Sequence, residues 1–316
     1  MLDQRRRAHI LLHISGECRG LSQMCRRIVA ERSCSCIFRV GFGPVAKVGC
    51  AVGCAVVCAV GCAVGMYWSM SGGVGGGERT GSNYGDDVAG RVQVVKFGAV
   101  SVRISDDPAG DAARSLAVRL RAATRRRGSA SLAVSGGSTA PSMLAALVHE
   151  DLDWDQLTIW QVDERVAPDG HEDRNATQLW FVPGETRLMP VAGDDLAMAA
   201  LRYADGLPER FDAVHLGVGD DGHTASWPPS PHPDATVVSS PNPVAMVGNF
   251  NGRGRMTLTP IPINQARGRL ILTTGKTKSA MVQRWLDRDR SIPVSHVRRS
   301  GTTLFLDPAA ASKLSL

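Results

Sequence analysis

The sequence predicts an α/β protein with a single wound, mainly parallel sheet flanked by helices, preceded by a disordered or low-complexity N-terminal extension. From about Val92 onward, short apolar runs alternate with segments of helical periodicity, as in a parallel sheet with helical crossovers. All eight cysteines lie at or before Cys62, so the later part of the chain must fold on a hydrophobic core rather than on disulfides. At about 225 residues, that part is long enough for one sizeable core.

Residues 1–90 form a low-complexity, Cys- and Gly-rich extension and linker. Val48–Trp68 is a run of 21 uncharged residues close to a Val-Gly-Cys-Ala repeat, and about 20 residues suffice to span a bilayer. Basic residues precede the run and acidic residues follow it, which would place the later domain outside the cytoplasm. We therefore favour an extension with Met66 or Met70 as alternative starts over an N-terminal membrane anchor. We expect a cytoplasmic protein whose folded domain is 91–316.

The charge distribution does not favour a nucleic-acid partner. The formal net charge of +6 is spread along the chain, with one dense run at Arg125–Arg127. Basic residues at the end of a helix complement its dipole, and few aromatic residues accompany this run. Histidines and acids show no metal-ligand spacing, so we expect neither a metal nor an organic cofactor. We also expect a monomer.

The predicted elements follow one another in a regular alternation. Val92–Phe97 and Ala99–Ile104 are predicted as strands, and Pro108–Arg126 as an amphipathic helix. Further strands are predicted at Ser131–Val134, Leu157–Val162, Ala213–Leu216 and Arg269–Thr273, and further helices at Pro141–His149, Leu196–Leu207 and Lys276–Asp287.

Polar motifs follow three of these strands. Ser135–Thr139, Asp163–Arg165 and Gly219–His223 each come directly after, or close to, the end of an apolar run. Ligands of wound α/β sheets bind beyond the C-terminal ends of the strands. The three motifs together therefore predict a shared site at that edge of the sheet.

The loop Gly217–Ser226 carries the candidate chemistry. Its glycines fit G-x-G-x-x-G, but a dinucleotide site needs a helix after the third glycine, and prolines at 228, 229, 231 and 233 prevent one. The loop presents Asp221 and His223 two residues apart. An imidazole transfers protons near neutral pH, and a carboxylate can fix its tautomer. We interpret the loop as a catalytic one.

Ser135–Thr139 joins a strand to a helix and is a candidate anion site. Two glycines allow close backbone approach, and the free N–H groups of a helix start attract anions. The alternative is structural: Thr139 before Pro141 fits an N-cap. The segment matches neither the G-x-x-x-x-G-K-[ST] loop of ATP sites nor the G-x-S-x-G elbow of serine hydrolases.

The remaining candidates are charged residues. Asp163, Glu164 and Arg165 follow an apolar strand, where buried charges must pair with each other or with a ligand. A structural Asp–Arg bridge at the sheet rim is the alternative. Arg253 and Arg255 precede a predicted strand at 256–259 and either bind an anion or are solvated loop cations.

These motifs together resemble those of 6-phosphogluconolactonases. The resemblance rests on Ser135–Thr139, Asp163–Arg165 with Asn175, Gly217–Ser226, and Arg255–Thr259 followed by Asn264, and it runs from roughly Val92 to Ala311. It implies hydrolysis of 6-phosphogluconolactone to 6-phosphogluconate in the oxidative pentose phosphate pathway, by a carboxylic ester hydrolase without a metal or cofactor.

The resemblance also implies roles for individual residues. His223 would activate water and return the proton, Asp221 would orient it, and Arg165 would hold substrate or stabilise negative charge. The expected substrate-binding residues are Gly136, Gly137, Ser138, Thr139, Asp163, Asn175, Gly219, Arg253 and Arg255.

The sequence departs from the family pattern at two places. Trp227-Pro228-Pro229 stands where Leu-Phe-Pro is usual, and Phe250–Arg253 replaces a segment with a lysine and prolines. A glucosamine-6-phosphate deaminase/isomerase shares the fold and the phosphate loop, but it carries a tyrosine at the position of Arg165 and a further acid after the histidine loop. A non-catalytic sugar-phosphate sensor is the other alternative, and a proton-transfer pair argues against it.

Overall fold

A computed structural model of the chain describes residues 92–315. Its strands are β1 (Gln93–Phe97), β2 (Val100–Ile104), β3 (Ala130–Val134), β4 (Leu157–Gln161), β5 (Asp163–Arg165), β6 (Glu185–Arg187), β7 (Ala213–Leu216), β8 (Val244–Phe250), β9 (Arg253–Leu258), β10 (Arg269–Thr273) and β11 (Thr302–Leu306). Its α-helices are α1 (Pro108–Arg127), α2 (Ala140–Leu147), α3 (Leu196–Asp205), α4 (Pro260–Gln265) and α5 (Ser279–Leu286).

The predicted α/β fold with a mainly parallel sheet is confirmed. Eight strands pair in the order β1-β2-β11-β10-β7-β3-β4-β6, and only the β1–β2 pair is antiparallel. Strand β4 lies next to β3 on one side, toward the β6 edge. Strand β7 lies next to β3 on the other side, and β10 lies beyond β7. The crevice between β3 and β7 is therefore a topological switch point, where wound sheets bind ligands.

The inner strands of the large sheet are buried on both faces, whereas the edge strands β1 and β6 are largely exposed. Successive residues of an inner strand enter different cores. On β3, Leu132 packs in the core beneath α1 and α2, while Ala133 packs in the core on the opposite face. On β10, Leu270 and Leu272 belong to the first core and Ile271 to the second. Side chains alternate across a strand, and parallel strands covered on both faces are apolar at nearly every position.

A second, three-stranded antiparallel sheet lies beside the large one, in the order β5-β9-β8. The three charged residues Asp163–Arg165 form β5 itself, rather than only a loop after β4. They remain extended because β9 supplies the partner strand, with Asp163 opposite Thr257 and Arg165 opposite Arg255.

The predicted elements are present with small shifts of their ends. The helix predicted at Pro141–His149 runs over Ala140–Leu147, and the one predicted at Lys276–Asp287 begins as a 3-10 turn at Lys276–Lys278 before α5. The structure adds β5, β6, β8 and β11 to the predicted strands, and α4 to the predicted helices. No α-helix follows Gly222 up to Pro233, in agreement with the argument against a dinucleotide site.

The predicted extension 1–90 and the candidate span Val48–Trp68 lie outside the described residues. The boundary at residue 91 therefore stays a prediction. Within 92–315, every helix is too short or too polar to traverse a bilayer.

Candidate active site

One polar cleft lies at the C-terminal ends of β3, β4, β7 and β10, at the switch point of the large sheet. It brings the three predicted motifs together, although they are separated by many residues in sequence. Its lining residues are Ser135–Thr139, Asp163, Arg165, Asn175, 217–219, 223–225, Arg255, 272–274 and Lys278.

His223 and Asp221 form a hydrogen-bonded pair beside the cleft. Nδ1 of His223 lies 2.5 Å from Oδ1 of Asp221, and the same oxygen accepts a hydrogen bond from the backbone N–H of His223 at 3.0 Å. The ring also packs edge-on against Phe250, with the ring centroids 5.3 Å apart. Because Nδ1 is occupied and the imidazole lines the cleft, Nε2 is the nitrogen left for a reactant.

The carboxylate of Asp221 fixes the tautomer of the imidazole. Partial burial opposes its ionisation, but the hydrogen bonds from the ring and backbone of His223 outweigh burial and lower the pKa of Asp221 to about 2. Asp221 is thus ionised at neutral pH and acts as an acceptor, so Nδ1 carries the proton and Nε2 presents a lone pair.

The loop Ser135–Thr139 leads into helix α2 with its backbone turned toward the cleft. Thr139 occupies the N-cap position, yet its side chain makes no capping hydrogen bond to the helix. Its hydroxyl instead points to the carbonyl of Leu272 on β10, at a distance of 3.5 Å. The N-cap interpretation therefore does not account for this side chain. Pro141 has no N–H, but the N–H groups of Ala140 and Ser142 on either side of it remain available to an anion.

Arg165 and Asn175 flank this loop. Nη1 of Arg165 donates to Oδ1 of Asn175 at 2.6 Å and to the carbonyl of Asp173 at 2.8 Å. A Cβ on Gly136 would lie 2.0 Å from Oδ1 of Asn175, so only glycine allows the loop to approach this amide. Among residues 92–315, Nη2 of Arg165 has no hydrogen-bond partner and can serve a ligand.

Glu164 holds this flank in place. Its fully buried carboxylate accepts hydrogen bonds from the backbone N–H groups of Arg165, Asn175 and Ala176, and from the amide of Gln161, at 2.7–2.8 Å. Arg174, also buried, lies 3.1 Å away and balances the charge. Instead of the Asp–Arg bridge that was the structural alternative, the buried ion pair here is Glu164–Arg174.

Arg255 lies directly opposite Arg165 in the β5–β9 pair, and both side chains line the cleft. Nε and Nη2 of Arg255 donate to the carbonyl of Phe250, at 3.1 and 2.9 Å. Burial, with a contribution from the like charge of Arg165, lowers the pKa of Arg255 below its ordinary value. Two neighbouring guanidinium groups at one cleft wall favour an anionic ligand.

Arg253, which was expected to bind substrate, does not line the cleft. Its guanidinium lies against the carboxylate of Asp173, with Nη2 at 2.8 Å and Nε at 3.0 Å. Nη2 also contacts Nε2 of His171 at 3.2 Å. The cation of Arg253 is therefore paired with Asp173.

Lys278 is a cleft residue that the sequence analysis did not single out. It lies at the end of the 3-10 turn Lys276–Lys278, and its Nζ is 2.7 Å from Oδ1 of Asp220, next to Asp221. The hydrogen bond from Lys278 lowers the pKa of Asp220. The cleft also includes Thr273, which ends β10, and Thr274, which follows it. Two polar residues at the end of an apolar run are the signal by which the sequence could have indicated them.

The fold and this cleft define an enzyme of the sugar-phosphate isomerase and lactonase type. A family model described as glucosamine-6-phosphate isomerases/6-phosphogluconolactonase matches residues 105–305. The chain belongs to this family, and the resemblance to the 6-phosphogluconolactonases is confirmed.

Individual relatives agree with this assignment. A 6-phosphogluconolactonase of Nostoc sp. is 31% identical over 241 residues, which cover 68% of this chain and 99% of the relative. One from Streptomyces coelicolor is 34% identical over 241 residues, with 64% of this chain and 89% of the relative covered. The crystal structure of a 6-phosphogluconolactonase from Shewanella baltica superposes with a TM-score of 0.61 at 23% identity, over 68% of this chain and 100% of that one. At that identity, the last comparison shows the fold alone.

Proposed function

We propose that this cleft hydrolyses the ring ester of 6-phospho-D-glucono-1,5-lactone to 6-phospho-D-gluconate. The main support is the His223–Asp221 pair, which leaves Nε2 of His223 without a partner among residues 92–315. The cleft that His223 lines also contains three cationic side chains, Arg165, Arg255 and Lys278. A proton-transfer group beside an anion-binding cleft is what a phosphorylated ester requires.

The reaction would use His223 twice. Nε2 takes a proton from water as the water oxygen attacks the lactone carbonyl carbon, and the imidazolium then donates that proton to the ring oxygen as the C–O bond breaks. The charge of Asp221 stabilises the imidazolium between the two steps. Arg165 would stabilise the oxyanion or hold a substrate oxygen.

The phosphate would be held by the loop after β3 and by two of the cleft's cations. The backbone of Gly136 and Gly137, the side chains of Ser138 and Thr139, and the N-terminus of α2 supply hydrogen-bond donors. Arg255 and Lys278 supply positive charge. Anchoring the phosphate orients the lactone relative to His223, and such orientation can contribute several kcal/mol.

The deaminase alternative is not supported by the residues of the site. Arg165 stands where that family has a tyrosine, and Trp227 follows the histidine loop in place of a segment with a further acid. Trp227 is fully buried, and its indole N–H donates to the carbonyl of Leu258 at 2.8 Å. It therefore serves as a core residue.

The first test measures the decay of freshly generated lactone with and without enzyme. The native protein should accelerate the decay over spontaneous hydrolysis, and His223→Ala should lower kcat by about 100-fold or more, since general-base catalysis contributes about 10²–10⁴. Circular dichroism checks that the variant is folded. A fully active variant would remove His223 from the mechanism, and a native protein that binds 6-phosphogluconate without speeding decay would favour the sensor.

The second test concerns the phosphate end. Lys278→Met should raise KM for the phosphorylated lactone by about 10-fold or more, because a charged hydrogen bond is worth about 1.5–3 kcal/mol. It should leave KM for unphosphorylated glucono-1,5-lactone unchanged. The matched control is Lys276→Met, which removes an exposed lysine of the same turn that does not line the cleft. Equal effects on both lactones would contradict phosphate binding by Lys278.

A further inference from the structure

The carboxylate of Asp163 lies between two loops of the cleft and is bonded to both. Its Oδ1 accepts a hydrogen bond from Oγ of Ser135 at 3.0 Å, and its Oδ2 accepts one from Oγ of Ser226 at 2.8 Å. Ser135 begins the loop after β3, whereas Ser226 ends the loop after β7 that carries His223. One side chain thus connects the two loops, with a separate oxygen for each.

The environment of Asp163 argues against direct substrate binding. Asp163 is only 4% exposed, and both carboxylate oxygens already accept hydrogen bonds from the protein. An additional negative charge directed at a phosphate would weaken binding. A buried carboxylate is retained when it is fully hydrogen-bonded, and here its partners belong to two loops that must remain in register.

We propose that Asp163 is a positioning residue, acting through the link Ser135–Asp163–Ser226, rather than a substrate ligand. The link sets the separation between the anion-binding backbone of Gly136–Thr139 and the imidazole of His223. This inference rests on the proposed function, in which one substrate molecule is held by its phosphate at one loop while its ester carbon faces His223 on the other. A misplacement of about 1 Å can cost about 100-fold in rate, so the spacing of the two loops affects the chemical step.

Ser226 offers the cleanest test of the link, because it is fully buried and does not line the cleft. Ser226→Ala removes one hydroxyl without touching a substrate-facing group. The backbone N–H of Ser226 still donates to Oγ1 of Thr257 at 3.2 Å, so the chain at this point stays attached to β9. What is lost is the connection to Asp163.

The experiment compares Ser226→Ala with Ser105→Ala. Ser105 also donates a buried hydrogen bond to a carboxylate, that of Asp111 at 2.5 Å, but it lies at the start of α1 and outside the cleft. We expect both variants to lose Tm to a similar degree. Only Ser226→Ala should lower kcat on 6-phosphogluconolactone, by about 10-fold or more, with KM changed less than about threefold.

A double-mutant cycle adds a second readout. If Asp163 and Ser226 act through one link, Asp163→Asn combined with Ser226→Ala should lower kcat little more than Asp163→Asn alone. Native kcat in Ser226→Ala, or fully additive losses in the double variant, would overturn the positioning role. A native enzyme without lactonase activity would overturn the proposed function instead, and that outcome is visible in the unsubstituted protein before any variant is compared.

Discussion

The loop that carries Asp221 and His223 leaves no room for a side chain beside the imidazole. A Cβ on Gly219 would stand 2.1 Å from Nδ1 of His223 and 2.6 Å from Oδ1 of Asp221. Separations this short are repulsive, so residue 219 must be glycine for the pair to form. Gly219, one of the glycines that fit the dinucleotide motif, is therefore required by the side chains of Asp221 and His223.

This close approach predicts the effect of Gly219→Ala. The added methyl group should displace the imidazole from Asp221 and lower kcat by about 100-fold or more, comparable to loss of the general base. Steady-state kinetics on the lactone measures the effect. Gly193→Ala is the matched control, since a Cβ there has no heavy atom within 4 Å and the site is remote. Native kcat in Gly219→Ala would contradict the geometry of the pair.

At the scale of elements, strand β7 contains a buried histidine. His215 on this strand is fully buried between β3 and β10, and neither ring nitrogen has a hydrogen-bond partner within 92–315. Burial lowers the pKa of His215 from 6.5 to about 4. The strand that leads into the loop of Asp221 and His223 therefore contains a histidine that is uncharged in the folded protein at neutral pH.

This histidine makes the stability of the fold depend on pH. The unfolded chain binds a proton at His215 below about pH 6.5, while the folded chain binds it only below about pH 4. Stability should fall as the pH drops through this window, by about 3 kcal/mol in total. Urea unfolding at pH 7 and pH 4.5 should show a smaller difference for His215→Leu than for the native protein. His149→Gln, at an exposed histidine, should leave the difference unchanged; an unchanged difference in His215→Leu would refute the assignment.

Six of the eight strands of the large sheet could be predicted from the sequence, because they are short apolar runs that alternate with helices; β6 and β11 were not predicted. Strand β5 could not be predicted either, since Asp163–Arg165 contains only charged residues and depends on the Glu164–Arg174 pair and on pairing with β9. The residues of the site, likewise, could be predicted only where they are close together in the sequence. The sequence indicates Asp221 and His223 because they are only two residues apart. Lys278 follows a different strand, and only the fold brings it to Asp220.

At the scale of the whole molecule, the cleft collects positive charge from both sheets. Arg165 and Arg255 belong to the small sheet and lie opposite one another, while Lys278 follows β10 of the large sheet. Like charges directly opposite in an antiparallel pair destabilise the sheet. An anion bound between them should relieve this repulsion and stabilise the entire fold.

Inorganic phosphate should therefore raise the Tm of the native protein. At ten times its Kd the ligand adds about 1.4 kcal/mol, which corresponds to a few degrees for a domain of this size. Differential scanning fluorimetry against sodium chloride of equal ionic strength measures the specific effect. Lys278→Met should show a smaller shift than Lys276→Met. Identical shifts in phosphate and chloride would show that the cleft does not bind phosphate specifically.

Helix α2 is a second place where a bound anion would stabilise the fold. Its N-cap residue, Thr139, does not cap it, so its first turn is completed by no side chain of its own. A bound phosphate would take the place of the missing cap. Under the proposed function, the hydrogen bonds of the first helical turn would be completed while substrate or product is bound and would be lost when the cleft empties.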